Sequence, residues 1–222
     1  MPFFFYLGIV LAIADWIATA RDASSVRWIT KPGALLALLL WFATSSPVEG
    51  SPQTTWFTLA LCLCLVGDIF LLMEGHHLIK GGLAFMLAHI AFIVAYNTPL
   101  QIPAIFLVIF IVNIILTIFF FRKILKEIHT TGDTDLAIGV SIYALALTSM
   151  TSTAISTLFR TGWSPIAAWL TAIGALLFYV SDLLLFSNHF LEVKPPVKVL
   201  IMATYHFGLF TLAYGFLWFL YR

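Results

Sequence analysis

Apolar residues in this chain gather into eight runs, each near the roughly 17–25 residues that carry an α-helix across the hydrocarbon core of a bilayer. The runs predict spans at about 2–20, 28–44, 55–73, 81–97, 99–121, 134–158, 164–186 and 197–220. Between them lie stretches with loop chemistry: Arg21–Arg27, Ser45–Pro52, Glu74–Lys80, Asn97–Pro99, Arg122–Asp133, Arg160–Ser164 and Ser187–Pro196. The expected fold is all-α: a polytopic membrane protein with eight transmembrane helices, forming a single transmembrane domain over 1–222. Pro32, close to the start of the second run, reads as a first-turn proline. The first run has no basic region before it and contains Asp15, so it is expected to be a retained span rather than a cleaved signal peptide.

Composition strengthens this picture. Of 222 residues, 62% are hydrophobic and 9% charged, with mean hydropathy +1.04. A soluble domain carries about a quarter charged residues. The net charge of +1 offers nothing to nucleic acid. Cys62 and Cys64 lie two apart, on different sides of a helix, so neither a disulfide nor a metal pair is expected. The 21 Phe and 7 Trp are expected mostly at the lipid surface and in interfacial belts.

Charge then orients the spans. Nine of the eleven Lys and Arg fall in or beside the odd-numbered loops: Arg21, Arg27, Lys31, Lys80, Arg122, Lys123, Lys126, Lys194 and Lys198. Arg160 and Arg222 lie on the other side. The positive-inside rule therefore places the odd loops in the cytoplasm and both termini outside. A seven-span arrangement would mix the two sets. A bacterial inner membrane is expected in preference to an endoplasmic reticulum, because no tails flank the spans.

Within this frame the polar residues inside the spans stand out. Asp68, in CLVGDIFLL, carries an insertion cost of about 2.5–3.5 kcal/mol if it sits unpaired at mid-bilayer. It shares one half of the membrane with Asp182 in FYVSDLLLF, Asp15, Lys31, His89, His206, Tyr143 and Asn113. At ~1.5 Å of rise per residue, these groups lie within roughly 5–14 Å of the cytoplasmic interface. Membrane carboxylates face the bundle interior or a wet cavity, so one polar cavity in the cytoplasmic half is expected. Asp15 and Lys31 are close enough to the interface to snorkel or to pair with one another. His89 and His206 are either satisfied core residues or cavity-lining ones. His76, His77, His129 and His189 are expected to be ordinary interfacial residues. GDIFLL and SDLLLF, each followed by a His-bearing span, hint at a four-plus-four pseudo-repeat.

Several chemistries are absent from the sequence. Ser141 in GVSIY lacks the second glycine of a nucleophile elbow. There is neither a phosphate-binding Gly-Lys loop nor an H-E-x-x-H. Asp68, Asp182, His89 and His206 do not follow a metal-ligand spacing, so no metal and no cofactor is expected. Two neighbouring carboxylates in a dry cavity can divide into an acid and a base. A vinyl ether lipid suits such a pair, because its hydrolysis begins with protonation of the alkene carbon. The alternatives are a lipid or proton-coupled transporter and a metal-dependent membrane lipid hydrolase. The scarcity of ionisable residues in the outer half of the spans speaks against a transporter, which needs access from both sides.

Lys31-Pro32, Gly67-Asp68 with Leu71-Leu72, the Gly82–Phe85–His89 run, Tyr143 and Ser181-Asp182 together resemble the YhhN/TMEM86 family of multi-pass membrane proteins. The resemblance covers nearly the whole chain. It implies a lysoplasmalogenase that splits lysoplasmalogen into a fatty aldehyde and glycerophosphocholine or glycerophosphoethanolamine. It further implies that Asp68 and Asp182 are the catalytic pair. Lys31, His89, Tyr143, Ser181, His206, Asp15 and Asn113 then bind substrate or tune the pair, and the partners are a lysophospholipid and water. One departure concerns the last span, where many members carry Tyr-Tyr-x-x-Gln and this chain has Tyr205-His206-Phe207-Gly208-Leu209.

Overall fold

A computed structural model describes residues 2–48, 50–73, 77–191 and 196–221. The charge and histidine assignments made above for His76, Lys194 and Arg222 lie outside the described residues. Eight α-helices follow one another: α1 (Pro2–Ala20), α2 (Ser24–Ser45), α3 (Pro52–Leu72), α4 (Leu78–Tyr96), α5 (Phe106–Thr131), α6 (Thr134–Ser156), α7 (Pro165–Phe190) and α8 (Pro196–Leu220). All eight are long and apolar enough to span a membrane. The chain is an all-helical, multi-pass membrane protein, with no strand among the described residues. Helices satisfy their own backbone groups, which is what hydrocarbon demands.

Several boundaries differ from the hydropathy reading, three of them for a plain local reason. Helix α2 starts at Ser24, so Pro32 lies in its interior rather than in its first turn. Helix α5 starts at Phe106, not near 99, because Pro99 and Pro103 lack the N–H groups a helix would use. At its other end α5 continues through Arg122, Lys123 and Lys126 to a left-handed Gly132 (φ 74°). Asp133 then caps α6, its Oδ1 accepting from the Leu136 N–H at 2.9 Å. Hydropathy marks where lipid ends, and a helix need not stop there.

The α1–α2 turn and the start of α8 meet at one end of the bundle. Lys198 Nζ, in the first turn of α8, reaches Asp22 Oδ1 in the α1–α2 turn at 3.2 Å. At the far end Trp163 stacks on Phe219, ring centroids 4.1 Å apart, and Tyr221 donates to the Ser45 carbonyl.

Small residues set the closest helix pair. A Cβ on Gly174 would stand 2.6 Å from the Leu212 nitrogen, and one on Gly208 2.9 Å from the Phe178 nitrogen. Helices α7 and α8 therefore meet backbone to backbone, as small residues allow in membranes. Not all the aromatics face lipid. Phe42, Phe57, Phe92, Phe121, Phe178 and Phe216 are fully buried, and Phe57 stacks on Phe216 at 4.3 Å. Helix α5 is the most lipid-facing, and a hydroxyl ladder fastens it: Asn113 Nδ2 donates to Ser152 Oγ at 3.0 Å, and Thr117 bonds Thr148 at 2.7 Å and Tyr179 at 2.6 Å.

Arg160 closes the far end. Its guanidinium donates to the Tyr96 carbonyl (2.6 Å), Asn97 Oδ1 (3.0 Å) and Ser156 Oγ (2.8 Å), capping the C-terminus of α4 from the end of α6. Burial lowers its pKa to about 10. Arg160→Ala strands these acceptors and is expected to destabilise the bundle by about 1.5–3 kcal/mol, the worth of hydrogen bonds to a charged group. Thermal unfolding in detergent checks this; an unchanged midpoint would show that the cap does nothing for stability.

Candidate active site

Two carboxylates, each held by its own partners, form the polar heart of the bundle. Asp182, on α7, is 3% exposed. Its Oδ2 accepts from the Tyr143 hydroxyl of α6 at 2.6 Å and from His89 Nε2 of α4 at 3.2 Å. His89 is fully buried, and with its proton on Nε2 its Nδ1 has no hydrogen-bond partner. Asp68, on α3, is also fully buried. Lys31 Nζ of α2 lies 3.0 Å from its Oδ1, and the Tyr205 hydroxyl of α8 donates to its Oδ2 at 2.7 Å.

The two sets have the same plan. Each carboxylate is held from the helix just before it in the chain and from an α4 or α8 helix of the opposite half. Among the described residues no hydrogen bond or ion pair joins Asp68 to Asp182. Aromatic packing connects their surroundings instead: Phe178 lies 5.1 Å from the His89 ring and 5.7 Å from the Tyr205 ring. Lys31 also sits 5.8 Å from the centre of the Tyr205 ring, within cation–π reach. A charge buried this deeply persists when paired and hydrogen-bonded; Asp68 meets that condition through Lys31 and Tyr205, whereas Asp182 is held by hydrogen bonds from Tyr143 and His89.

The remaining sequence-derived residues fall around this core in different ways. Asp15 is fully buried but pairs with Arg27 Nε at 3.3 Å and accepts from Thr30 Oγ1 at 3.2 Å, rather than meeting Lys31. Ser181 Oγ donates to the Ile201 carbonyl at 3.0 Å, tying α7 to α8 beside Asp182. His206 turns toward α1: its Nδ1 accepts from Trp16 Nε1 at 3.0 Å, which places its proton on Nε2. Asn113 belongs to the α5–α6 ladder and touches neither carboxylate. Tyr205 and Arg27 are the residues that sequence reasoning passed over. Nothing in an aromatic-rich last span singles out one tyrosine. Tyr205 does stand at nearly the same offset from His89 as Asp182 does from Asp68. Among the described residues no three His, Cys, Asp or Glu side chains gather into a metal cage.

A groove of about 510 Å³ lies between α4 and α6, lined also by Phe186 of α7 and by Tyr143, both buried. A second cavity, of about 330 Å³, lies between α1 and α8 beside Trp16 and His206. The first reaches a residue bonded directly to Asp182.

Comparison with known proteins adds a family to this geometry. The chain is 28% identical over 206 residues to lysoplasmalogenase TMEM86B of Sus scrofa, an alignment covering 92% of this chain and 80% of that protein. No solved structure matches it. The YhhN family model matches residues 26–216, a range that includes both carboxylates and every partner that holds them. This chain belongs to the YhhN family.

Proposed function

We propose that this protein is a lysoplasmalogenase, hydrolysing the vinyl ether bond of a 1-alkenyl lysophospholipid with Asp182 and Asp68 as its acid–base pair. The observation that carries this reading is Asp182, a carboxylate buried among spanning helices, whose partner Tyr143 lines an apolar groove. The family and the lysoplasmalogenase relative support the same choice.

The chemistry follows from the residues. Asp182 delivers a proton to the second carbon of the alkene. Positive charge then develops on the first carbon and the ether oxygen, and the Asp182 carboxylate left behind stabilises it. Water adds to the first carbon, its proton passing to Asp68; before the next turnover Asp68 gives that proton up to solvent and Asp182 takes one back. The resulting hemiacetal breaks its bond to the glycerol oxygen, leaving a fatty aldehyde and a free glycerol hydroxyl. Tyr143 and His89 orient Asp182, while Lys31 and Tyr205 orient Asp68. The odd-numbered loops face the cytoplasm under the positive-inside rule, so the site opens to lipid of the cytoplasmic leaflet.

Purified protein in detergent, given 1-alkenyl lysophosphatidylcholine, is expected to release aldehyde with no ion gradient present. A transporter would need the gradient and would release none. Tyr143→Phe removes one hydrogen bond to Asp182 and is expected to lower kcat by about 10–100-fold, the equivalent of a charged hydrogen bond. A wild-type kcat in that variant would remove Tyr143 from the site.

A further inference from the structure

Most spanning glycines sit against a neighbouring helix. On Gly8, Gly67, Gly81, Gly174, Gly208 or Gly215 a Cβ would come within 3 Å of it, and on Gly33 at 3.3 Å, so these glycines serve packing. On Gly82 of α4 and Gly139 of α6 a Cβ would meet nothing within 4 Å. Both of these line the groove between α4 and α6. Glycine inside a helix costs about 1 kcal/mol relative to alanine, and no packing contact offsets that cost here. What the two glycines do is keep side-chain volume out of the groove.

The groove is graded along α6. Asp135, Gly139 and Tyr143 stand four residues apart, on one face of the helix. A carboxylate thus marks the mouth, a glycine the middle, and the partner of Asp182 the inner end. Ile79, Leu83 and Ile142 border the groove and are exposed on the face of the bundle that meets lipid. Among the described lining residues there is no Lys or Arg, whereas Asp133 and Asp135 are both present.

We propose that this groove is the lateral portal and binding site through which a lysolipid leaves the bilayer to reach Asp182. Its apolar walls hold the vinyl ether segment, and the acidic mouth receives the ammonium of a choline or ethanolamine head group. The proposal rests on the lysoplasmalogenase reading for the identity of the reacting bond. Length supports it. Asp135 and Tyr143 are eight residues apart, about 12 Å along a helix. Ten covalent bonds separate the ammonium nitrogen from the first vinyl carbon, also about 12 Å at the advance per bond of an extended chain. An extended substrate with its ammonium at Asp135 therefore brings its vinyl ether level with Tyr143.

Gly82→Leu and Gly139→Leu test the portal, since at each position a Cβ enters open space and the rest of the side chain adds volume to the groove. Both are expected to lower kcat/KM for 1-alkenyl lysophosphatidylcholine at least tenfold with a thermal midpoint no lower than wild type, since the helix-interior glycine is lost. Asp135→Asn should raise KM about threefold for that lipid and leave it unchanged for an alkenyl lysolipid whose head lacks an ammonium. Kinetics within twofold of wild type in both glycine variants would overturn the portal. A binding arm separates this failure from failure of the enzymatic reading. Lysophosphatidylcholine with a photoreactive group near its ether carbon should label α4 and α6 of the wild type, and the Gly139→Leu variant much less, whether or not aldehyde forms. Labelling that diacyl phospholipid competes away equally well would mark the groove as ordinary lipid-facing surface and sink the proposal.

Discussion

Asp182→Asn is expected to cut aldehyde release by at least ~10²-fold, the low end of what a general acid–base group contributes. The substitution is nearly isosteric. The amide oxygen still accepts from Tyr143 and His89, so the bonds that fasten α7 to α4 and α6 survive. What disappears is a group able to give up a proton to carbon and then stand as an anion beside the developing cation. The loss should therefore appear in kcat, with a KM close to wild type and an unchanged thermal midpoint. Asp68→Asn should lose activity to a similar extent, but with a difference in stability that identifies it. It leaves Lys31 buried with no counter-charge, whereas Asp182→Asn strands no cation. Full activity in either variant would end the acid–base pair.

The second large effect concerns that ion pair. Lys31 is 3% exposed and Asp68 fully buried, with 3.0 Å between their charged atoms. Removing one member of a buried pair leaves the other as an uncompensated charge, at a cost of about 3–5 kcal/mol. Lys31→Met is accordingly expected to lower the thermal midpoint in detergent by on the order of 10 °C for a chain of this size. The double variant Lys31→Met with Asp68→Leu removes both charges and should recover most of that loss, because well-packed apolar residues replace a buried pair at little or no cost. Its activity should stay absent. Stability restored without catalysis would separate what the pair does for the fold from what Asp68 does for the reaction. A midpoint unmoved by Lys31→Met would show that the pair is not buried as charges.

The number and type of the spans were legible because lipid imposes one requirement on every segment: enough consecutive apolar residues with a closed backbone. Asp68 and Asp182 were legible for the opposite reason, since a carboxylate in such a run needs partners. Lys31, His89 and Tyr143 were in view as neighbours, but which carboxylate each holds, and Tyr205 altogether, were not. A soluble helix announces its inner face by amphipathicity, but in a membrane the outer face is as apolar as the inner, so the rotation of α8 that brings Tyr205 to Asp68 leaves no trace in the pattern. The same blindness left Asp15 open to pairing with Lys31. In the structure Arg27, one turn earlier on α2, takes Asp15 and leaves Lys31 to Asp68. It also hid the buried aromatic core of Phe42, Phe57 and Phe216 among phenylalanines that do face lipid. Helix ends were misjudged where polar sequence stays helical, as in α5 beyond Phe121, and where proline interrupts apolar sequence, as at Pro99 and Pro103.

The central claim is that water adds to the vinyl carbon after protonation, so the bond that breaks lies on the alkenyl side of the ether oxygen. Turnover of 1-alkenyl lysophosphatidylcholine in water enriched in heavy oxygen tests this directly. The glycerol hydroxyl does not exchange with solvent, so it keeps a record of which bond was cut. Mass spectrometry of the products is predicted to show aldehyde together with glycerophosphocholine that carries no heavy oxygen. Heavy oxygen in the glycerophosphocholine, or no aldehyde at all, would contradict the account.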